Sequence, residues 1–327
     1  MFTRHDGRAT PAIPVPGGVG WGLVLALGAA LISGLAIYLN AFAVRQLPDA
    51  AVYTTLKNAV AAVILVSVAV GLGAARDVRA IDRRRWPAVL AVGVVGGSVP
   101  FILFFTGLAQ ASAPSAAFIQ KTLFVWVGLL AMPFLGERLG VAPVIGIAGL
   151  LVGQLLVLPP DGIVWGTGES LILAATLFWA AETILVKRLL GAIPAHVMAA
   201  IRMSVGLVVL VAYLAVSGKL GVVVGLSAAQ WAWAALTGAI LAAYVGTWFA
   251  ALERAPASVV TSVLVLGAVV TGILSAVTRG AAPSPTVAGG YLLIVVAAAV
   301  IAVWSRRAAR QLAEAARRPA ALGSRVG

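Results

Sequence analysis

Ten apolar runs, each long enough to cross a lipid bilayer as a helix, follow one another along this chain with only short polar breaks between them. The hydrocarbon layer is about 30 Å thick, and a helix needs about 20 apolar residues to traverse it. The first five runs cover 21–39, 52–73, 86–109, 114–135 and 141–158; the second five cover 167–187, 196–216, 229–252, 257–277 and 286–304. Barrel strands would alternate polar and apolar residues over short stretches, and these runs do not. With 62% hydrophobic and 10% charged residues, a fold of 327 residues lacks the polar surface to face water, so lipid is its solvent. The fold class is an all-α membrane protein of ten transmembrane helices.

In a soluble protein the formal charge of +13 would suggest nucleic acid or an anionic surface, but here its placement reads as orientation. Seventeen of the 23 Lys and Arg gather on one side: Arg4, Arg8, Arg76, Arg79, Arg83, Arg84, Arg85, Arg138, Lys187, Arg188, Arg254, Arg306, Arg307, Arg310, Arg317, Arg318 and Arg325. Arg45, Lys219 and Arg279 fall on the other. The positive-inside rule then places both termini in the cytoplasm, in an inner (plasma) membrane, and no nucleic-acid partner is expected. Residues 1–20, with Pro11, Pro14, Pro16, Gly17 and Gly18, read as a flexible cytoplasmic tail rather than a signal peptide, because the run behind them is long enough to span and more spans follow. Residues 306–327 form a basic cytoplasmic tail with two open readings, a helix on the lipid surface or a solvated tail that fixes orientation. The chain has no cysteine, which removes disulfides and thiolate metal sites.

The two sets of five runs resemble each other. A shift of 145 residues lays 55–66 over 200–211 with Lys57 and Arg202 in register. A shift of 143 lays Gln110-Ala111-Ser112-Ala113-Pro114-Ser115 over Glu253-Arg254-Ala255-Pro256-Ala257-Ser258, at the tight connection between the third and fourth runs of each half. Because five is odd, the second copy enters the membrane from the opposite side. The halves, 21–160 and 165–305, are therefore inverted five-helix repeats, an architecture in which one half rocks against the other.

The paired five-helix halves, the cation early in the second run of each, and the Phe134-Leu135-Gly136-Glu137-Arg138-Leu139 ending of the fourth run resemble the EamA branch of the drug/metabolite transporter superfamily. The second half departs from that ending with Val277-Thr278-Arg279-Gly280, so Glu137 has no counterpart there. The resemblance implies secondary transport of small metabolites, often outward, through a central cavity lined by spans one, three, four, six, eight and nine, with spans five and ten packed behind. Gly149 and Gly153 in the fifth run, and Gly93 and Gly97 in the third, suit close helix approach.

An ionisable side chain deep in a bilayer needs a partner, water or a function. Glu182 is the one acid well inside a run. A membrane interior favours the neutral form of a carboxyl, so Glu182 is read as a proton-coupling group, or else as the structural partner of Lys187, Arg188 or a cation on another helix. Lys121, with Gln120 beside it, reads as the receiver of a substrate carboxylate or phosphate, or as a cation that snorkels outward or pairs with Glu182. Lys57 and Arg202, kept in both copies, read as scaffold or gating groups with headgroups in reach. Tyr38, Trp126, Trp179, Tyr244 and Trp248, with Ser98 and Thr247, complete the expected lining. Pro100 and Pro133 are placed to free carbonyls toward the cavity. Glu137 and Arg138 read as an ion pair or helix-end contact at a gate.

His5 and His196 belong to no cluster with metal-ligand spacing, no nucleophile has an evident base, and no glycine-rich phosphate loop occurs, so neither an enzyme nor a cofactor is expected. The combined expectation is a carrier exporting small organic metabolites such as amino acids by alternating access, coupled to protons. Its partners are a small-molecule metabolite, the lipid bilayer and protons. Three intramembrane cations against one acid lean toward a carboxylate-bearing substrate. A flippase for a lipid-linked or amphipathic headgroup, and a non-transporting membrane scaffold, stand as alternatives.

Overall fold

The computed structural model describes residues 18–137, 140–158 and 164–317. Arg138, most of the amino-terminal tail and residues 318–327 lie outside the described residues. In chain order the helices are α1 (Gly18–Gln46), α2 (Ala50–Gly71), α3 (Ala74–Arg79), α4 (Trp86–Gly97), α5 (Val99–Gln110), α6 (Ala113–Lys121), α7 (Leu123–Leu135) and α8 (Val141–Val157) in the first half. The second half holds α9 (Thr167–Leu189), α10 (Ala195–Val216), α11 (Leu220–Val224), α12 (Ala228–Arg254), α13 (Ala257–Leu264), α14 (Leu266–Arg279) and α15 (Pro285–Arg317). Among the described residues, nine helical stretches are long and apolar enough to span, and α8, with 17 residues, is the tenth and shortest.

Three spans are interrupted. The third divides at Ser98, where Pro100 has no amide to continue the ladder and the Ser98 hydroxyl bonds back to Val94 O at 2.8 Å. The fourth divides at Thr122 and the ninth at Val265, 143 residues apart, which is the offset of the sequence repeat. The eighth span, repeat partner of the third, carries no proline and runs unbroken as α12.

Other landmarks recur in pairs. Gly136 and Gly280 end α7 and α14 with φ of 67° and 63°, a left-handed conformation that glycine adopts without steric cost. The next amides close the turn, Glu137 N to Ala131 O and Ala281 N to Ala276 O, both at 3.2 Å. Arg45 reaches across to Ala111 O at 3.1 Å, and Lys187 to Ala255 O at 2.9 Å, each bracing the connection between third and fourth spans of its own half. At opposite ends of the α2–α10 pair, Lys219 meets Asp49 at 2.6 Å, and His196 Nε2 lies 3.5 Å from Asp77.

The fifth and tenth spans pack on each other through small residues. A Cβ added at Gly146 would come within 2.4 Å of Ile301, one at Gly149 within 3.1 Å of Ala297, and one at Gly153 within 2.7 Å of Ile294. Residues 306–317 of the basic tail continue α15 as helix past Trp304 without interruption.

Asp49 caps α2, accepting from Ala51 N at 2.8 Å and Val52 N at 3.2 Å. Partial burial pushes its carboxyl up, but the hydrogen bond from Lys219 and the two amides outweigh it and hold the group below its ordinary value. Its stabilising effect is therefore full above about pH 4, the unfolded value, and fades as pH falls through the lower folded one. Asp49→Asn keeps the cap and should cost less than about 1 kcal/mol, whereas Asp49→Ala should cost about 1 kcal/mol more. Thermal melting in detergent between pH 5 and 3 checks this: both variants should lose the acid-dependent part of the wild-type curve.

Candidate functional site

The third span supplies the anchor of the molecule's interior. Without a proline amide at position 100, the carbonyl of Gly96 is left free, and it accepts from Arg202 Nη2 at 2.7 Å and from Trp179 Nε1 at 3.2 Å. Arg202 also takes both oxygens of Glu182, through Nε to Oε1 and through Nη2 to Oε2 at 3.0 Å. The carboxylate fits only because residue 96 has no side chain: a Cβ there would lie 1.9 Å from Glu182 Cδ. Arg202 further stands over the rings of Phe101 and Phe249, at 5.4 and 5.7 Å from their centroids. Glu182 thus pairs with a cation on another helix, Arg202.

Lys57 is the twin of Arg202, each the eighth residue of its helix. Its ammonium donates to Asn40 Oδ1 at 3.1 Å and sits 3.9 Å from the centre of the Phe105 ring, with Tyr53 and Phe101 at 5.6 and 5.8 Å. Asn40 precedes Glu182 by 142 residues, the offset that also relates Arg45 to Lys187. The two pairs are thus copies of one another, and the first copy has an amide where the second has a carboxylate. Among the described residues no carboxylate comes within ion-pairing distance of Lys57. Both cations are buried, held inside by packed aromatic rings and a polar partner, and neither extends to the headgroups that the sequence left in reach.

A cavity of about 80 Å³ lies between these twins. Lys57, Asn40, Ser33 and Gln120 line one part, and Glu182, Arg202 and Thr183 another. Phe101, Phe104 and Phe105 of α5, Trp179 of α9, and Tyr244 and Trp248 of α12 form the aromatic wall. Phe101, Phe104 and Phe105 share one helix face at the i, i+3, i+4 spacing. Phe101 ties the two halves together, stacked with Phe105 at 6.2 Å and edge-on to Trp179 at 5.4 Å. Gln120 Oε1 is buried with no hydrogen-bond partner, although its residue lines the cavity.

Gln120, Trp179, Tyr244, Trp248, Glu182, Lys57 and Arg202 are thus brought together, and several other residues named from sequence are not. Lys121 is 1% exposed and stands behind the wall, where its ammonium donates to Ser33 Oγ at 2.7 Å against the backbone of Gly267. Tyr38 points away to the hydroxyl of Thr278. Trp126 donates to Thr122 Oγ1 at 3.2 Å outside the cavity wall. Glu137 lies at the end of the fourth span and caps α13, accepting from Ala257 N at 2.7 Å, Ser258 N at 3.2 Å and Ser258 Oγ at 2.5 Å. Ser98 and Thr247 spend their hydroxyls on backbone carbonyls of their own spans, and Pro133 is carried inside an unbroken α7. Sequence reasoning missed Asn40, Ser33, Gly96, Thr183 and the phenylalanine face. Asn40 was hidden because the first run was closed at residue 39, one residue short, while α1 continues to Gln46.

The family model described as the EamA-like transporter family matches this chain twice, over residues 20–158 and 166–303. No curated relative matches the chain. A crystal structure described only as that of a protein is similar in fold, with a TM-score of 0.69 at 21% identity over 88% of this chain and 98% of the other.

Arg202→Met leaves Glu182 buried and unpaired, and should cost about 3–5 kcal/mol. Arg202→Met combined with Glu182→Leu should recover most of that loss, and Gly96→Ala should resemble the single arginine variant. Melting curves in detergent decide: equal losses for the single and double variants would show that charge compensation is not what holds this site.

Proposed function

Because the chain belongs to the EamA-like transporter family, we propose that it is a secondary-active carrier for small carboxylate-bearing metabolites, amino acids foremost, moved by alternating access with proton coupling. The observation that carries the reading is the unequal pair of twins. Arg202 has a carboxylate of its own, whereas the hydrogen-bond partner of Lys57 among the described residues is the amide of Asn40. A substrate carboxylate entering beside Asn40 supplies to Lys57 what Glu182 supplies to Arg202. Gln120, with a buried carbonyl oxygen unpaired, offers an acceptor for a substrate ammonium. Ser33 accepts from Lys121, which leaves the hydroxyl proton of Ser33 available to a second carboxylate oxygen. Lys121 thus acts through Ser33.

Proton coupling is assigned to Glu182. Both its oxygens accept from Arg202 in this conformation, so loss of the carboxylate charge weakens the pair and favours movement of α10 against α4 and α9. The close contact of Gly97 with Gly206, where an added Cβ would meet backbone at 2.5 Å or less, makes that crossing a tight pivot. A cavity of about 80 Å³ is smaller than the several hundred Å³ of ordinary small-molecule sites, so loading requires the halves to separate. Glu137 and Arg188 serve as the clasp on the arginine-rich face: Glu137 of the first half caps α13 of the second, and Arg188 of the second donates to Phe134 O of the first at 2.7 Å. Outward net flux and a cytoplasmic arginine-rich face rest on the family resemblance and on charge placement.

In liposomes, Lys57→Met should weaken the apparent affinity for a transported amino acid by roughly 10- to 100-fold, the range for a hydrogen bond to a charged group. Glu182→Gln should keep counterflow exchange and lose acceleration by a pH gradient. Unchanged affinity in the first, or unchanged pH response in the second, overturns the corresponding role.

With no native cysteine, Thr183→Cys gives a single thiol in the cavity. Adding Glu137→Ala should raise its labelling by an impermeant thiol reagent from the arginine-rich side several-fold. Equal labelling with and without Glu137 would remove that residue from the gate.

A further inference from the structure

A second concavity, of about 440 Å³, lies apart from the transport cavity, where the last turns of α2 and the short α3 face the early part of α10. Its walls are apolar except for Ser204 and Arg79. Val66 and Val70 on its edge are exposed, and within a span exposure means contact with lipid rather than water. The groove therefore opens sideways into the bilayer at the arginine-rich face. Arg79 stands at its rim, and the adjoining segment adds exposed Arg76, Arg83, Arg84 and Arg85 against only Asp77 and Asp82.

We propose that this groove binds an anionic phospholipid, one acyl chain in the apolar trough and the phosphate against Arg79. Each part of the chemistry points to such an amphiphile. The volume lies in the range of small-molecule pockets, the walls offer an acyl chain dispersion contacts without a polar cost, and the cation sits at the end where a headgroup would lie. A soluble anion would meet Arg79 but leave the trough to other molecules; an uncharged lipid would fill the trough and leave the arginine cluster unanswered. The floor includes Ile201 and Val205, which flank Arg202 along α10, and Val205 packs directly on Gly93, where an added Cβ would lie 2.4 Å from it. The bound lipid thus rests on the back of the helix that carries the buried ion pair.

The test titrates the full chain in detergent with phosphatidylglycerol or phosphatidylcholine and counts retained lipids by native mass spectrometry. The wild type should retain one phosphatidylglycerol with about a fivefold preference, the effect of one cation beside an anionic headgroup. Arg79→Gln should bring the preference close to parity while still retaining lipid. Ala75→Phe, which projects a ring into the trough from an exposed position, should lose both lipids. Arg306→Gln, on the exposed part of α15 away from the groove, should leave the preference intact. Parity in the wild type, an unchanged preference in Arg79→Gln, or an equal drop in Arg306→Gln overturns the site. Arg79 is exposed and its replacement leaves the fold intact, so the headgroup half of the proposal is decided even if Ala75→Phe fails to fold.

Discussion

A guanidinium buried among lipid-embedded helices must have its charge and its donors answered at once, and the interior of this molecule is arranged around that requirement. Arg202 is answered by a carboxylate from α9 and by a carbonyl from α4. The carbonyl exists because Pro100 cannot take it into the helical ladder, and the carboxylate fits because residue 96 is glycine. Residues 96, 100, 182 and 202 therefore constrain one another across three spans and both halves. The aromatic wall and the cavity lie around this contact, which the break in the third span makes possible.

Duplication explains the frame, and divergence explains the chemistry. The interruptions at Thr122 and Val265, the glycine ends at Gly136 and Gly280, and the braces from Arg45 and Lys187 recur at offsets of 142 to 144 residues. The same offset relates Asn40 to Glu182, but there the copies differ: one pair is compensated within the protein and the other is left with an uncompensated lysine. The same cavity thus holds one cation paired with an acid and one paired with an amide.

The frame was legible in the sequence because lipid imposes few solutions: run length and polar breaks located ten spans, and the odd number of spans in each repeat set their inversion. The packing of the fifth span through Gly149 and Gly153 agrees with the close helix approach expected of those glycines, and its partner, the tenth, with what the family resemblance implied. The site was legible only in part. Tyr244, Trp248, Trp179, Gln120 and the buried charges could be named from residue type and depth. Nothing in a linear pattern reveals azimuth, however, so Tyr38 and Trp126 were assigned to a cavity that they turn away from. Lys121 was misplaced for the same reason, one layer behind Ser33. The break at Val265 has no local signal in residues 264–266; only its alignment with Thr122 announces it. Asn40 was lost to a boundary drawn where hydropathy fell, although the polar residue that ended the run was itself part of the site.

The two helix ends that follow Gly136 and Gly280 share a backbone turn, yet one is followed by Glu137, which caps α13, and the other by Ala281, which has no carboxylate to offer. In the cycle proposed above, opening at one face breaks this anionic cap, whereas the equivalent step at the other face breaks none. A cycle through these two openings has barriers of unequal height. Detailed balance prevents this inequality from driving net flux, which gradients alone can do. In the carrier proposed above, it would set how long each orientation lasts, and half-saturation concentrations would then differ between the two sides of the membrane.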